Sequence, residues 1–273
     1  MGNVGRWVRR VGGADTTFDA ARRRRFVRAL EADFDWSKLG ARLDATERDR
    51  ARSLWIARMR DEQRAVVAMS QLVADLARLG APLDVLGAGA AVIHDETRHV
   101  DVCERVARAL DPARPFRTTP PEMPHHGTLE LRHRVVVSVV SLLCVGETLS
   151  MSLLRAARDH CDDEVTTDVL EGLLADESIH SRFGWWWLET PQGELRDDER
   201  PKVARMLARL FARLDRSLGA EAPCVGDAMG APPSPVRRDV FHAALHDTIL
   251  PRLEAHGIAA RAAWCDRALR EAA

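Results

Sequence analysis

The string Asp-Glu-x-x-His occurs twice in this chain, at residues 95–99 and 176–180, and it constrains the fold more than any other feature. Residues three apart in an α-helix lie on one face, so each copy would present a carboxylate and an imidazole side by side. Two further Glu-x-x-His spacings occur, Glu122/His125 in a Pro-rich stretch and Glu130/His133 near a predicted helix start, and we interpret both as coincidental. The two copies preceded by Asp predict two helices that each carry part of one site.

The rest of the chain is patterned for helices. Apolar residues recur with a period near 3.6, and no segment alternates as a β-strand does. Residues 111–127 hold five prolines and residues 219–236 are rich in Gly and Pro, so both are predicted connections. Helices are predicted at about 45–79, 82–110, 128–158, 164–188, 197–218 and 237–270, the last with a break near Pro251 or Gly257.

Two further acids, Glu62 and Glu147, interrupt the apolar faces of the first and third predicted helices. Glu62 and Glu96 are equally far from the first helix–helix turn. Glu147 and Glu177 are equally far from the second, at residues 159–163. Residues equidistant from the turn of an antiparallel hairpin lie side by side, so each hairpin should unite two glutamates and one histidine. Two such hairpins packed face to face would gather four carboxylates and two imidazoles.

Burial gives a reason for this set to hold metal ions. Glu147 is the only acid between Leu131 and Arg158, and a lone ionised carboxylate in such apolar surroundings is costly. Two divalent cations would remove that cost and the mutual repulsion of four carboxylates, and carboxylate oxygens with one imidazole per metal suit iron or manganese. The Asp before each motif could accept the other ring N–H of the opposite histidine. For Glu62 alone, an ion pair with Arg58 is the alternative.

With these residues, the segment from about 45 to 190 resembles the ferritin-like di-iron carboxylate superfamily, whose pattern is Glu, Glu-x-x-His, Glu, Glu-x-x-His on four helices. The string from Asp95 to His99 is similar to the Asp-Glu-x-Arg-His motif of bacterial multicomponent monooxygenases and acyl-carrier-protein desaturases. Ile179 stands where those families often have Arg, which predicts an altered network of outer residues. The resemblance implies six ligands, oriented by Asp95, Asp176 and Arg98: Glu62 and His99 on one iron, Glu147 and His180 on the other, and Glu96 and Glu177 bridging.

The resemblance also implies a fold and a function. The expected fold is all-α: one ferritin-like domain over residues 1–273, with a four-helix bundle at about 45–190, a C-terminal helical extension at about 195–273 and extra helices at both ends. The expected function is a non-haem di-iron oxygenase or oxidase that uses two iron ions, or a manganese/iron pair, and O2 as co-substrate. Its expected partners are a small organic substrate, an electron donor such as a reductase or ferredoxin, and a second copy in a homodimer.

Other functions stay open at this point. One alternative is a ferroxidase or iron-handling protein without an organic substrate, and another is a radical or transfer partner, or a scaffold that kept its ligands without catalysis. The chain has no tyrosine, which excludes a tyrosyl radical. Ribonucleotide reductase small subunits carry their radical tyrosine seven residues after the first bridging Glu, and here that position, counted from Glu96, is Cys103. Rubrerythrins add a four-cysteine iron site that is absent here, and Leu173 stands where arylamine N-oxygenases carry an extra histidine. No subfamily fits, so no substrate is carried over.

A few neighbouring residues are candidates for supporting roles. Ser150 follows Glu147 by one turn and is a candidate for proton delivery, although a core serine bonded to a main-chain carbonyl has the same pattern. Cys103, Cys144 and Trp187 lie on the same faces as the acids and are candidate walls of a substrate pocket.

Composition and charge exclude several classes of protein and indicate a cellular location. The net charge of −1 excludes a globally basic nucleic-acid binder. The five cysteines are odd in number and lack any C-x-x-C spacing, so a disulfide framework, a zinc ribbon and a rubredoxin-type site are not expected. The first residues lack the apolar core of a signal peptide, and the apolar run from Val135 to Val145 is far short of the roughly 20 residues that span a membrane. We therefore expect a soluble, cytoplasmic protein that binds neither membrane nor nucleic acid.

Overall fold

A computed structural model of the chain describes residues 34–116, 128–219 and 229–267, which form helices and turns without a β-strand. The expected all-α class is confirmed for these residues. Residues 34–44 form turns, and the remainder of the expected N-terminal helices lies outside the described residues. The helices are α1 (Ala45–Arg78), α2 (Leu83–Leu110), α3 (Leu131–Asp159), α4 (Glu164–Leu188), α5 (Arg200–Gly219), α6 (Ser234–Ala243 continued by Ala244–Ile249 and Leu250–Ala255) and α7 (Ala260–Asp266).

Local chemistry fixes the helix ends close to their predicted positions. Asp44 and Glu47 form a reciprocal capping box at the start of α1. Gly80 ends the first hairpin turn with φ of 79°, a left-handed conformation that Gly adopts without a Cβ clash. The Asp163 side chain accepts a hydrogen bond from the Thr166 N–H and caps α4.

The four long helices pack as two antiparallel hairpins, α1 with α2 and α3 with α4, and α2 also packs on α4. Arg134 at the start of α3 donates to Asp75 near the end of α1, with Nη2 2.6 Å from Oδ1. At the other end of the bundle, the Gly40 N–H donates to Asp163 just before α4, at 2.9 Å. Helices α2 and α3 therefore run in the same direction, and α3 begins at the end of the bundle opposite to the one where α2 ends. The sequence left this connectivity open.

The core is divided along the helix axes into two apolar clusters. One contains Met69, Leu76, Leu143 and Phe183, and extends beneath α5, α6 and α7. The other forms around Trp55 and includes Met59, Val102 and Leu170. On α1, α2 and α4, the level between the clusters is occupied by the predicted acids and histidines.

Helix α3 contains a π-helical segment, Val139–Glu147, that the period-3.6 pattern did not reveal. A π turn is wider than an α turn, and the wide segment faces Gly184 of α4. A Cβ at Gly184 would lie 2.6 Å from the Leu143 Cβ and 3.0 Å from the backbone nitrogen of Cys144. The missing side chain lets α4 approach the segment that carries Glu147.

The predicted break in the last helix is confirmed at Gly257, which has φ of 76°. Pro251 stays inside the helix, and the π-helical turn Ala244–Ile249 comes just before it. Proline lacks an N–H and crowds the preceding turn. A local π turn is an adjustment that accommodates such a residue.

One described helix, α3, is long and apolar enough to cross a membrane by length and composition alone. The apolar part of this helix is longer than the run from Val135 to Val145 that stands out in the sequence. Of its most apolar stretch, 56% is buried inside the protein. That burial is what the core helix of a soluble protein shows.

The close packing at Gly184 makes a stability prediction. Gly184→Ala should lower the free energy of unfolding by about 1–3 kcal/mol, because the new methyl group meets backbone and Cβ atoms that cannot rotate away. Gly146→Ala, on the π-helical segment itself, is the comparison: its nearest contact, the Ser141 carbonyl oxygen, would lie at 3.3 Å and needs a shift of only a few tenths of an ångström. Urea denaturation of the metal-free variants measures both. A loss at Gly146 equal to or larger than that at Gly184 would contradict the prediction.

Candidate metal centre

Two glutamates and two histidines from α2 and α4 converge in the core. One ligand atom from each of Glu96, His99, Glu177 and His180 lies within 4.8 Å of all the others, and all four side chains are buried. The two helices are antiparallel, so the histidine of each motif lies beside the acidic end of the other. The group could hold a metal ion.

The carboxylates of Glu96 and Glu177 each face both imidazoles. The two oxygens of Glu96 lie 3.5 Å from His99 Nδ1 and 3.1 Å from His180 Nδ1. The two oxygens of Glu177 lie 3.5 Å and 3.3 Å from the same two nitrogens. Each carboxylate thus turns one oxygen to each histidine, which is the disposition of a carboxylate that bridges two metal positions.

The two remaining predicted ligands lie on opposite sides of this group. Glu62 Oε2 is 3.6 Å from His99 Nδ1. Glu147 is buried beside His180 and shares a hydrogen bond with Glu177. The structure therefore brings all six side chains together, with Glu62 toward His99 and Glu147 toward His180. No ion pair between Arg58 and Glu62 occurs in the described part of the chain.

Behind the histidines, the aspartates cross between the helices. His99 Nε2 lies 3.3 Å from Asp176, and His180 Nε2 lies 3.4 Å from Asp95. Arg98 donates to both aspartates, at 2.9 Å to Asp95 and 3.1 Å to Asp176. An Nε2–H held by a carboxylate leaves Nδ1 free to bind a metal and fixes the ring. One arginine serves both aspartates, so Ile179 replaces a residue that this network does not need.

The donor set fits a pair of divalent metal ions. Buried atoms without a hydrogen-bond partner include both oxygens of Glu96, Oε2 of Glu177 and Nδ1 of both histidines. Leaving such atoms unpartnered in a core costs free energy. Four carboxylates need four positive charges, which two divalent ions supply and one does not. Nitrogen and carboxylate oxygen ligands without thiolate suit iron or manganese.

Protons hold the same charge balance when no metal is bound. Burial raises the pKa of Glu62 to about 7, and burial with the charges of Glu177 and Glu96 raises the pKa of Glu147 well above its usual range. Burial lowers the pKa of His99 and His180, but the surrounding carboxylates outweigh it and raise both well above the ordinary value.

The bridging glutamates behave in the opposite way. Burial raises the pKa of Glu96 and Glu177, but the adjacent imidazoles outweigh it, and the pKa of each falls below the ordinary value. Below pH 7 these directions favour imidazolium forms of the two histidines, ionised Glu96 and Glu177, and protonated Glu62 and Glu147. Such a site would carry the same total charge as two divalent ions bound to the fully deprotonated side chains.

The residues predicted to support the site lie in different parts of the core. Ser150 is half-buried one turn after Glu147, and no hydrogen bond of its hydroxyl occurs among the described residues. Cys103 is in the Trp55 cluster, whereas Cys144 and Trp187 are in the cluster around Leu143. The structure does not bring these three together as one wall.

The sequence did not single out Trp185. Its indole N–H donates to the Thr148 hydroxyl at 3.1 Å, so it reaches the residue directly after Glu147. Its ring stacks on His256, with centroids 6.3 Å apart, and lies 4.2 Å from the Arg252 guanidinium carbon. The helical face that carries the acids includes Trp187 but not Trp185, so the sequence pattern pointed to Trp187 instead.

Comparison with known proteins gives no further guide to this site. No family model matches the chain, and no curated protein or solved structure matches it either. The geometry of the six side chains is therefore the basis for a functional proposal.

Because protons and metal ions compete for the same atoms, binding should release protons. At pH 6, two divalent ions should displace about four protons per chain, two from the histidines and two from Glu62 and Glu147. Above pH 7, Glu62 ionises without metal, so proton release should fall and apparent affinity should rise. Titration of metal-free protein with Mn(II) in weakly buffered indicator solution measures this. Release of one proton or fewer at pH 6 would contradict the charge balance.

Proposed function

We propose that this protein is a ferritin-like, non-haem di-iron oxidoreductase that uses O2 to oxidise a small organic substrate. The observation that carries the proposal is that Glu96 and Glu177 each direct one oxygen to each histidine. A carboxylate that directs one oxygen to each of two histidines can bridge two metal ions. A single ion would not need both oxygens of both carboxylates.

The residues have distinct tasks in this proposal. Glu62 and His99 would hold one iron and Glu147 and His180 the other, as the six-ligand pattern implies. Two ferrous ions held by these residues would supply two electrons and open coordination positions for O2, and the substrate or the electron donor would supply the other two electrons. The chain's own residues orient the ligands and exclude water: Asp176 and Asp95 fix the imidazole rings, Arg98 holds both aspartates, and the two apolar clusters close the site from above and below.

The topology supports the ferritin-like assignment. Helices α2 and α3 run parallel, so each Glu-x-x-His motif lies on a helix that is antiparallel to its neighbour with the other motif. Bundles with one long crossover between the hairpins include the ferritin-like folds. The resemblance to that superfamily and the Mn/Fe alternative remain part of the proposal.

The helices after the bundle support oxidation of an organic substrate over iron storage. Helix α6 packs against α3, and α5 and α7 pack beside it. A site that only oxidises Fe(II) needs no such cover on the helix that carries Glu147. A ferroxidase is the competing function, and it differs in its electron balance and assembly.

Iron stoichiometry is the first measurement. Anaerobic Fe(II) titration of metal-free protein should give two irons per chain, and Glu147→Ala should bind one or none, because it removes a buried ligand of one position. His133→Ala is the matched control: it belongs to a Glu-x-x-His spacing outside the site, where Glu130 caps α3 by accepting from the Arg132 and His133 N–H groups. This variant should retain two irons. Absence of tight binding in the unchanged protein would overturn the di-iron proposal.

Oxygen chemistry then separates the two functions. An oxidoreductase should consume many equivalents of O2 per bound iron when a chemical or enzymatic reductant is supplied. It should elute as a monomer or dimer on size exclusion. A ferroxidase would consume O2 in proportion to added Fe(II) and assemble into a large shell. The latter pair of results would replace the proposal.

A hydroxyl one turn from Glu147 permits a test of proton delivery. Ser150→Ala should slow O2 consumption by about a hundredfold, the lower end of the contribution typical of a positioned proton donor, and leave iron stoichiometry at two. Ser152→Ala on the same helix removes a hydroxyl that bonds to the Thr148 carbonyl at 2.9 Å, and it should leave the rate unchanged. An unchanged rate in Ser150→Ala would retire this role.

A further inference from the structure

Arg58 is a half-buried arginine that has no ion pair within 4 Å among the described residues. It lies on α1 one turn before Glu62, its terminal nitrogen Nη1 is shielded from solvent, and that nitrogen makes no hydrogen bond. Its other terminal nitrogen donates only a long bond, 3.4 Å, to the Gly230 carbonyl. Burial lowers the pKa of Arg58, and Cys103 and Glu62 are the groups whose charges act on it most.

The acids nearest to Arg58 in sequence are committed elsewhere. Asp61 pairs with Arg64, and the carboxylate of Glu62 faces His99. A partly desolvated guanidinium that is not paired with a carboxylate is energetically costly. An anion bound at Nη1 would reduce that cost.

A second donor lies in the same place. The indole nitrogen of Trp55 is buried and makes no hydrogen bond, although a buried indole N–H usually has a partner. The Arg58 guanidinium carbon lies 4.6 Å from the centre of the Trp55 ring. Nη1 of Arg58 and Nε1 of Trp55 are both donors, and neither nitrogen meets an acceptor among the described residues. Together they match a ligand that offers oxygen acceptors and a negative charge.

We infer that Arg58, with Trp55, binds the carboxylate of a small organic acid and thereby presents that acid to the metal centre. The inference rests on the proposed function, since it names the substrate class of the same site. Arg58 and Cys103 each lie about one helical turn from Glu62 and His99, and a turn rises about 5 Å. The reacting atom should therefore lie about 5 Å from the carboxylate, which suits an aromatic acid or a short-chain aliphatic acid.

Binding to metal-free protein tests this inference without relying on activity. Calorimetric titration with benzoate and hexanoate is compared with benzamide and hexanamide, which have the same shape without the charge. The carboxylates should bind at least about tenfold more tightly, as expected for a charge-assisted hydrogen bond in a shielded site. Arg58→Gln should remove that preference, and Trp55→Phe should weaken carboxylate binding by about threefold because it deletes one N–H.

Two controls keep the result specific. Arg60→Gln removes an exposed cation from the same helix and should leave carboxylate affinity unchanged. Arg58→Lys keeps the charge and should retain part of the preference, so it replaces Arg58→Gln if that variant fails to fold. Iron titration of the Arg58 variants should still give two irons per chain.

The outcomes are distinguishable. Equal affinity for acids and amides, or an Arg58→Gln variant that still prefers acids, would overturn the inference while two bound irons would leave the proposed function standing. Phosphate binding as tightly as benzoate would identify a general anion site and overturn the substrate class. Carboxylate binding in a protein that takes up no iron would overturn both the di-iron proposal and the assignment of the acid as its substrate.

Discussion

The structure depends on placing four carboxylates at one level of an apolar helical core. Glu96 and Glu177 are almost fully buried, and Glu62 and Glu147 are nearly so. Ionised and alone, these groups would repel one another and forgo hydration at a cost that a domain of ordinary stability cannot sustain. Positive charge therefore has to accompany them, as protons on the histidines and outer glutamates or as divalent metal ions.

The antiparallel packing of α2 on α4 makes that charge balance compact. It sets each histidine against the acidic end of the opposite motif and lets each aspartate hold the ring of the partner helix. Arg98 ties the two aspartates together, so the imidazoles are held from behind by one connected network. Rings oriented in this way leave their Nδ1 atoms facing the carboxylates, which is the orientation that metal binding requires.

The two sides of the centre are not equivalent. On the side of Glu62, α1 carries Arg58 one turn and Trp55 two turns before the ligand, each with a buried nitrogen that makes no hydrogen bond. On the side of Glu147, the π-helical segment of α3 packs against α4. There Trp185 donates to Thr148 and contacts Arg252 of α6.

Much of this could be predicted from spacing. The helix limits followed from apolar periodicity and from turn residues such as Gly80 and Asp163, because these act locally. The meeting of Glu62 with His99 and of Glu147 with His180 followed from equal distances to the hairpin turns. The crossed aspartates followed from the need of a ligating imidazole for a second partner. The role of the four glutamates and two histidines as metal ligands remains a prediction. So do the di-iron cofactor and the single-domain organisation.

The sequence by itself determined the helices, their buried acidic level and the six side chains that share it, because helical periodicity and hairpin symmetry are local rules. Only the tertiary structure decided that α2 and α3 run parallel, that α3 widens into a π segment opposite Gly184, and that Nη1 of Arg58 meets no acceptor among the described residues. Each of these depends on which surfaces meet across the bundle. A chain of 273 residues encodes those meetings through packing and desolvation over long sequence separations, and no local pattern records them.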